Sequence, residues 1–169
     1  WSVALEDTTA LVGAAADEAT GAESGSAYVF ERVGGEWVQG TKLAAYDGDS
    51  ADSFGSAVAL DGRRALVGAW GDEDPHGAQA GSAYVFARAG DGWTQTAKLV
   101  ADDGDSFDWF GRSVALDGRA ALVGTPHDET PSGAESGSAY VFERVDGTWV
   151  QAAKLAPDDA GRGDEFGWS

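Results

Sequence analysis

Gly81-Ser82-Ala83-Tyr84-Val85-Phe86 is one of three copies of a single hexapeptide, the others running from Gly25 to Phe30 and from Gly137 to Phe142. Both intervals are 56 residues. The same step relates Trp37, Trp93 and Trp149, and it relates the pairs Lys42-Leu43, Lys98-Leu99 and Lys154-Leu155. It also relates Phe54-Gly55, Phe110-Gly111 and Phe166-Gly167. A fixed period of this length marks a tandem array of one supersecondary unit. Gly13 to Gly68 spans 55 residues and Gly68 to Gly124 spans 56, so the first copy is one residue short between Gly13 and Gly25, and that segment reads as a loop.

Each unit holds four short β-rich segments, none long enough for a helix. In the second copy these are Ser56 to Leu60, Ala65 to Gly68, Ser82 to Arg88 and Trp93 to Leu99, which we label strands A to D. Asp61-Gly62 and Asp117-Gly118 supply a tight hairpin between A and B. Gly34-Gly35, Gly90-Asp91-Gly92 and Asp146-Gly147 do so between C and D. In strand C, Tyr84 and Phe86 point to one face and Val85 to the other, so the sheet is apolar on both sides and calls for neighbours on both. Four-stranded units in tandem are the signature of a β-propeller, and the expected fold is all-β, with blades at 1–55, 56–111 and 112–167. Residues 168–169 begin a further strand in the register of Trp1-Ser2.

The pattern of Phe-Gly, then about a dozen residues, then Ala-Leu-Val-Gly with Thr125-Pro126, Ala14-Ala15 or Ala69-Trp70 behind it resembles the FG-GAP repeat of integrin-type propellers. Bacterial and archaeal repeats of the same form are the nearest in kind. The resemblance implies a propeller fold and a secreted or surface location. Three blades do not close a ring, since closed propellers usually have about four to eight. The readings are a portion of a longer array, which we favour, or two copies pairing into a six-bladed ring.

Composition narrows the function. The chain of 169 residues has a formal charge of −18, which sets nucleic acid and anionic lipid aside as partners. No apolar run is long enough to span a membrane, and the chain opens on Trp1-Ser2-Val3 rather than a basic then apolar leader. Without cysteine there is no disulfide or thiolate site. Asp outnumbers Glu 19 to 10, Lys is reduced to three, and Ala and Gly supply 31 and 25 residues. Short hydrated carboxylates over small side chains suit a solution crowded with salt, and we read a halophile.

Because strands alternate direction, the B–C and D–A loops emerge together on one face of the propeller. The B–C loops carry Asp17, Glu18, Glu23, Asp72, Glu73, Asp74, Asp128, Glu129 and Glu135. The D–A loops carry Asp47, Asp49, Asp52, Asp102, Asp103, Asp105, Asp108, Asp158, Asp159, Asp164 and Glu165. Loop length and salt adaptation account for part of this crowding. The functional alternative is Ca²⁺, which takes six to eight oxygens. Its candidate ligands are Asp47, Asp49 and Asp52; Asp103, Asp105 and Asp108; and Asp159 and Asp164; with Asp17, Asp72 and Asp128 as weaker partners from the B–C loop. In integrin-type repeats the calcium loop occupies the A–B turn. Here that turn is Glu6-Asp7-Thr8-Thr9, Asp61-Gly62-Arg63-Arg64 or Asp117-Gly118-Arg119-Ala120, so the family's loop is missing.

Catalysis finds little support. His76 and His127 occupy non-equivalent loop positions, with no nucleophile or metal spacing around them. Trp37, Trp93 and Trp149 are expected to pack between blades, and Lys154 to neutralise one acid or to cover apolar surface with its stem. Trp70 and Trp109 lie by the acidic loops, where packing outweighs stacking on a sugar or cation. The expectation is a non-catalytic, extracellular or cell-surface propeller module for adhesion or protein interaction, with a protein or glycan surface ligand. The alternatives are a structural spacer in a larger surface protein or filament, and the propeller domain of a larger secreted enzyme.

Overall fold

The computed structural model describes residues 1–130, 133 and 135–169. It contains three antiparallel sheets of four strands each. The first is β1 (Val3–Glu6), β2 (Thr9–Ala14), β3 (Ser26–Val33) and β4 (Glu36–Leu43). The second is β5 (Ala57–Asp61), β6 (Arg64–Ala69), β7 (Ser82–Ala89) and β8 (Gly92–Leu99). The third is β9 (Ser113–Asp117), β10 (Ala120–Thr125), β11 (Ser138–Val145) and β12 (Thr148–Leu155). In each sheet the strands pair in chain order, as a propeller blade does. Strands run one residue beyond or behind their expected ends, because ladder bonds continue up to the turn: Asp61 pairs with Arg64 across the two-residue hairpin Gly62-Arg63. Gly62 sits at φ +57° there, which a side chain adopts only with strain.

The blades fan out, with β1, β5 and β9 side by side and β4 and β8 barely meeting, and the three blades do not close a ring. Strand C divides its side chains as its alternation requires. Tyr84 and Phe86 enter the core shared with the first blade, and Val85 enters the core shared with the third. Each core is completed by the phenylalanine of the Phe-Gly pair. Phe54 lies 5.5 Å from Tyr84 and 5.9 Å from Phe86, ring centre to ring centre, and Phe110 repeats this against Tyr140 and Phe142 at 5.6 and 5.9 Å. Aromatic pairs at such distances add about 0.5–1.5 kcal/mol beyond the area they bury. Trp93 is buried in the first core and Trp149 packs against the second, as expected, whereas Trp37, expected to pack likewise, is exposed on the outer face of the first sheet, where none of the three sheets packs against it.

Candidate functional site

The loops of one face are woven together by backbone hydrogen bonds. The loop from β4 to β5 lies along the β2–β3 loop, where Ala51 N, Ser53 N and Phe54 N donate to the carbonyls of Ala22, Glu23 and Ser24. Its far side meets the next blade, where Gly71 N donates to Asp52 O. The loop from β8 to β9 repeats this with Phe107, Trp109 and Phe110 on Ala78, Gln79 and Ala80, and with His127 N on Asp108 O. Each of these two D–A loops is thus clamped between two B–C loops.

Lysine binds the same loops from beneath. Lys98 Nζ stands 2.7 Å from both Asp47 Oδ2 and Asp72 Oδ2, one carboxylate from the incoming loop and one from its own blade. Lys154 does the same at 2.8 Å with Asp103 and Asp128. The expected neutralisation of one acid is therefore a bridge between two. Each ammonium also lies over a strand-C ring, Lys98 at 5.3 Å from the Tyr84 centre and Lys154 at 5.2 Å from that of Tyr140. Lys42 meets Asp17 alone, at 2.8 Å, since no loop arrives from a preceding blade.

These pairs set the titration of the site. The Lys42 bond, helped by the Ser26 and Tyr28 hydroxyls, holds the Asp17 carboxyl far below the usual range. Burial works against the Lys98 ammonium, but its bonds to Asp47 and Asp72 outweigh that cost and raise its pKa. Asp47 and Asp103 are lowered in turn, burial being overcome by Lys98 and Lys154 respectively. Asp52 and Asp108 behave oppositely. Burial pushes each up to about 6, against the backbone N–H of Asp49 or Asp105 that each accepts, at 2.6 and 2.8 Å, and with the neighbouring Asp72 or Asp128 charge adding to the rise. Asp164 accepts Gly161 N at 2.7 Å in the same way but is exposed.

The calcium candidates thus separate into three groups. Asp17, Asp47, Asp72, Asp103 and Asp128 are held by lysine. Asp52, Asp108 and Asp164 cap their own turns. Asp49, Asp105 and Asp159 project into solvent. Among the described residues no three carboxylates or imidazoles converge to hold a metal ion, so as arranged the donor set does not form a calcium cage.

Two equivalent clefts open between the loops. One, of about 520 Å³, is lined by Asp47, Asp49, Asp52, Asp72, Glu73 and Lys98 among others. The other, of about 420 Å³, is lined by Asp105, Phe107, Asp108, His127, Glu129 and Glu135. Beside the second lies an aromatic cluster that no repeat spacing announces. The Trp109 ring tilts against Trp70 of its own blade at 5.1 Å and stacks on His127 of the next at 3.7 Å, so Trp70 and Trp109 pack on each other and Trp109 reaches across the blade boundary. His76 pairs with Asp74 in its own loop, 3.2 Å from Nδ1 to Oδ2.

The Phe-Gly motif has its physical reason in the joint between blades. A Cβ on Gly13 would stand 1.9 Å from Gly55 O, and one on Gly124 would stand 2.0 Å from Gly167 O, so the strand-B glycine admits the Phe-Gly backbone only because it lacks a side chain, while a Cβ on Gly55 would itself stand 2.2 Å from Ser26 O of strand C. No helix of the described residues is long and apolar enough to cross a membrane. Among curated proteins none matches the chain. The family model for the FG-GAP repeat matches residues 1–30, 37–86 and 93–142, each match ending on one copy of the hexapeptide and the three together covering most of the chain, and with the glycine joint present three times and the inserted phenylalanine twice, this chain belongs to the FG-GAP repeat family.

Proposed function

We propose that the chain is a non-catalytic, extracellular propeller module of a halophile surface, which binds a protein or glycan ligand through its acidic loop face. The observation that carries this reading is the pair of equivalent open clefts, walled by carboxylates and braced from below by Lys98 and Lys154. A rigid, repeated acidic surface presents the same charge pattern at successive blades, which suits multivalent capture of basic or hydroxyl-rich groups. Three near-identical blades leave no single specialised centre for chemistry.

The test is retention of immobilised basic peptides and of neutral and acidic glycans by the chain in molar salt. Binding that is lost in a variant carrying Asp49→Asn, Glu73→Gln, Asp105→Asn and Glu129→Gln, all on exposed residues, supports the reading. Binding to none of the panel favours a spacer, a role that the clamped loops and lysine bridges also suit through rigidity.

A further inference from the structure

Between the second and third blades a polar layer is sealed in, with the aromatic core below it and the acidic loops above. Val123 and Tyr140 are partners across β10 and β11 and enter the core shared with the second blade. Two residues along, and so on the same face, Thr125 and Ser138 are partners as well, and their side chains enter the same joint. Both residues are 0% exposed, and neither hydroxyl has a hydrogen-bond partner among the described residues.

Two buried carboxylates close over them. Asp128 turns back on β10, its N–H donating to Thr125 O, and Asp108 arrives in the loop from β8 to β9, where its carbonyl accepts His127 N. They are 3% and 4% exposed. The serine at this repeat position is aimed at this aspartate, because in the first blade the equivalent Ser26 Oγ donates to Asp17 Oδ2 at 2.5 Å. Charge does not balance in the joint. Among the described residues the one ion pair of Asp128 is with Lys154, which shares its ammonium with the exposed Asp103, and Asp108 has no ion pair, its Oδ2 accepting only Asp105 N. A buried negative charge is therefore left without a counter-ion, beside two hydroxyl oxygens left without a partner.

We propose that the joint binds a monovalent alkali cation, Na⁺ or K⁺, through Thr125 Oγ1, Ser138 Oγ and the carboxylates of Asp108 and Asp128. The donors are all hard oxygens, which excludes a soft metal, and two carboxylates already shared with a lysine are too few for a calcium cage. A water molecule in the same place would satisfy the hydroxyls but leave the charge. The bound ion answers both, and it ties the third blade to a loop of the second. The joint between the first and second blades supplies an internal comparison: Ser82 Oγ is again buried without a partner, but Ala69 stands in place of Thr125, so one ligand is missing. The site needs no ligand in the cleft above it, and it stands or falls apart from the proposed function.

The test uses the full 169-residue chain and the alkali cation alone. Melting temperature is measured at equal molar concentrations of NaCl, KCl and tetramethylammonium chloride, whose cation is too large to enter the joint. Wild type is expected to melt about 4 °C or more higher in the sodium or potassium salt than in the tetramethylammonium salt, and the salt with the larger rise names the ion. Thr125→Ala gives the third blade only the residue that Ala14 and Ala69 already provide in the other two, so it should fold, and it should at least halve that difference. Ser138→Ala should do the same, and Asp108→Asn should abolish the difference. A second measurement does not depend on stability: crystals grown in a rubidium salt should show anomalous scattering between the two hydroxyls. Equal melting in all three salts overturns the proposal, as does an undiminished difference in Thr125→Ala, or a water at the site with no anomalous signal.

Discussion

Gly68 of β6 meets Gly111, in the loop that leads into the following blade, backbone to backbone, so closely that a Cβ on Gly68 would stand 2.0 Å from the Gly111 carbonyl oxygen. Gly111 in turn is held at φ +90°, where a Cβ would stand 2.2 Å from Ser82 O. The obstacle on each side is backbone already fixed in a ladder, so it has no rotamer by which to move aside. Gly68→Ala should therefore cost about 3 kcal/mol by forcing the two blades apart. Gly62→Ala, at φ +57° but with nothing within 4 Å, should cost only about 1 kcal/mol of backbone strain. Denaturant midpoints of the two variants check the ordering; equal losses would mean that the blades are not in tight contact.

Removing one lysine should expose the difference between a bridge and a pair. Lys98→Met leaves the Asp72 side chain, 4% exposed, buried without its cation, and should cost about 3 kcal/mol. Lys42→Met removes a single pair whose members are both substantially in solvent, and should cost under about 1 kcal/mol. Urea unfolding of both variants at one salt concentration tests this, and a larger loss for Lys42→Met would contradict the bridging role.

The acid side of the stability curve should bend two ways. Asp52 and Asp108 have folded pKa values of about 6, above the ordinary 3.8, so the folded state holds their protons more tightly and stability falls as pH rises from about 4 to about 6. Asp52→Asn keeps an acceptor for Asp49 N while removing the buried charge. It should raise stability by about 1–2 kcal/mol at pH 7.5, with the gain shrinking toward pH 4. Asp17, Asp47 and Asp103 have lowered values, so the stability that they contribute is present above pH 3.8 and is lost as pH falls below it. Thermal melts from pH 3 to 8 check both signs; an Asp52→Asn variant less stable than wild type at pH 7.5 would show the carboxylate to be needed as an anion.

Divalent ions separate screening from a site. With the lysines occupying five of the candidate acids, Ca²⁺ and Mg²⁺ in molar monovalent salt should shift the melting temperature equally and slightly. A rise with Ca²⁺ alone, reversed by a chelator, would give the exposed Asp49 and Asp105 an ion-binding role that their present arrangement does not display.

The sequence alone determined the repeat, its four strands, the two-sided apolar pattern of strand C and the face on which the loops gather, because alternation, turn glycines and period are local properties that each copy states again. It marked Lys42, Lys98 and Lys154 as equivalent without saying what they hold. Only the tertiary structure decided that Lys98 and Lys154 each join two loops, that Asp52 and Asp108 are buried turn caps, and that Trp109 stacks on His127. The reach of Lys98 to Asp47, of Lys154 to Asp103 and of Trp109 to His127 crosses from one blade to the next between residues distant in the chain, and the turn caps, though local bonds, are buried only because the next blade lies over them. The Phe-Gly motif shows both levels. Its recurrence is plain in the chain, but its reason, a phenylalanine inserted into the next core beside a glycine that lets two backbones touch, exists only once the blades are stacked.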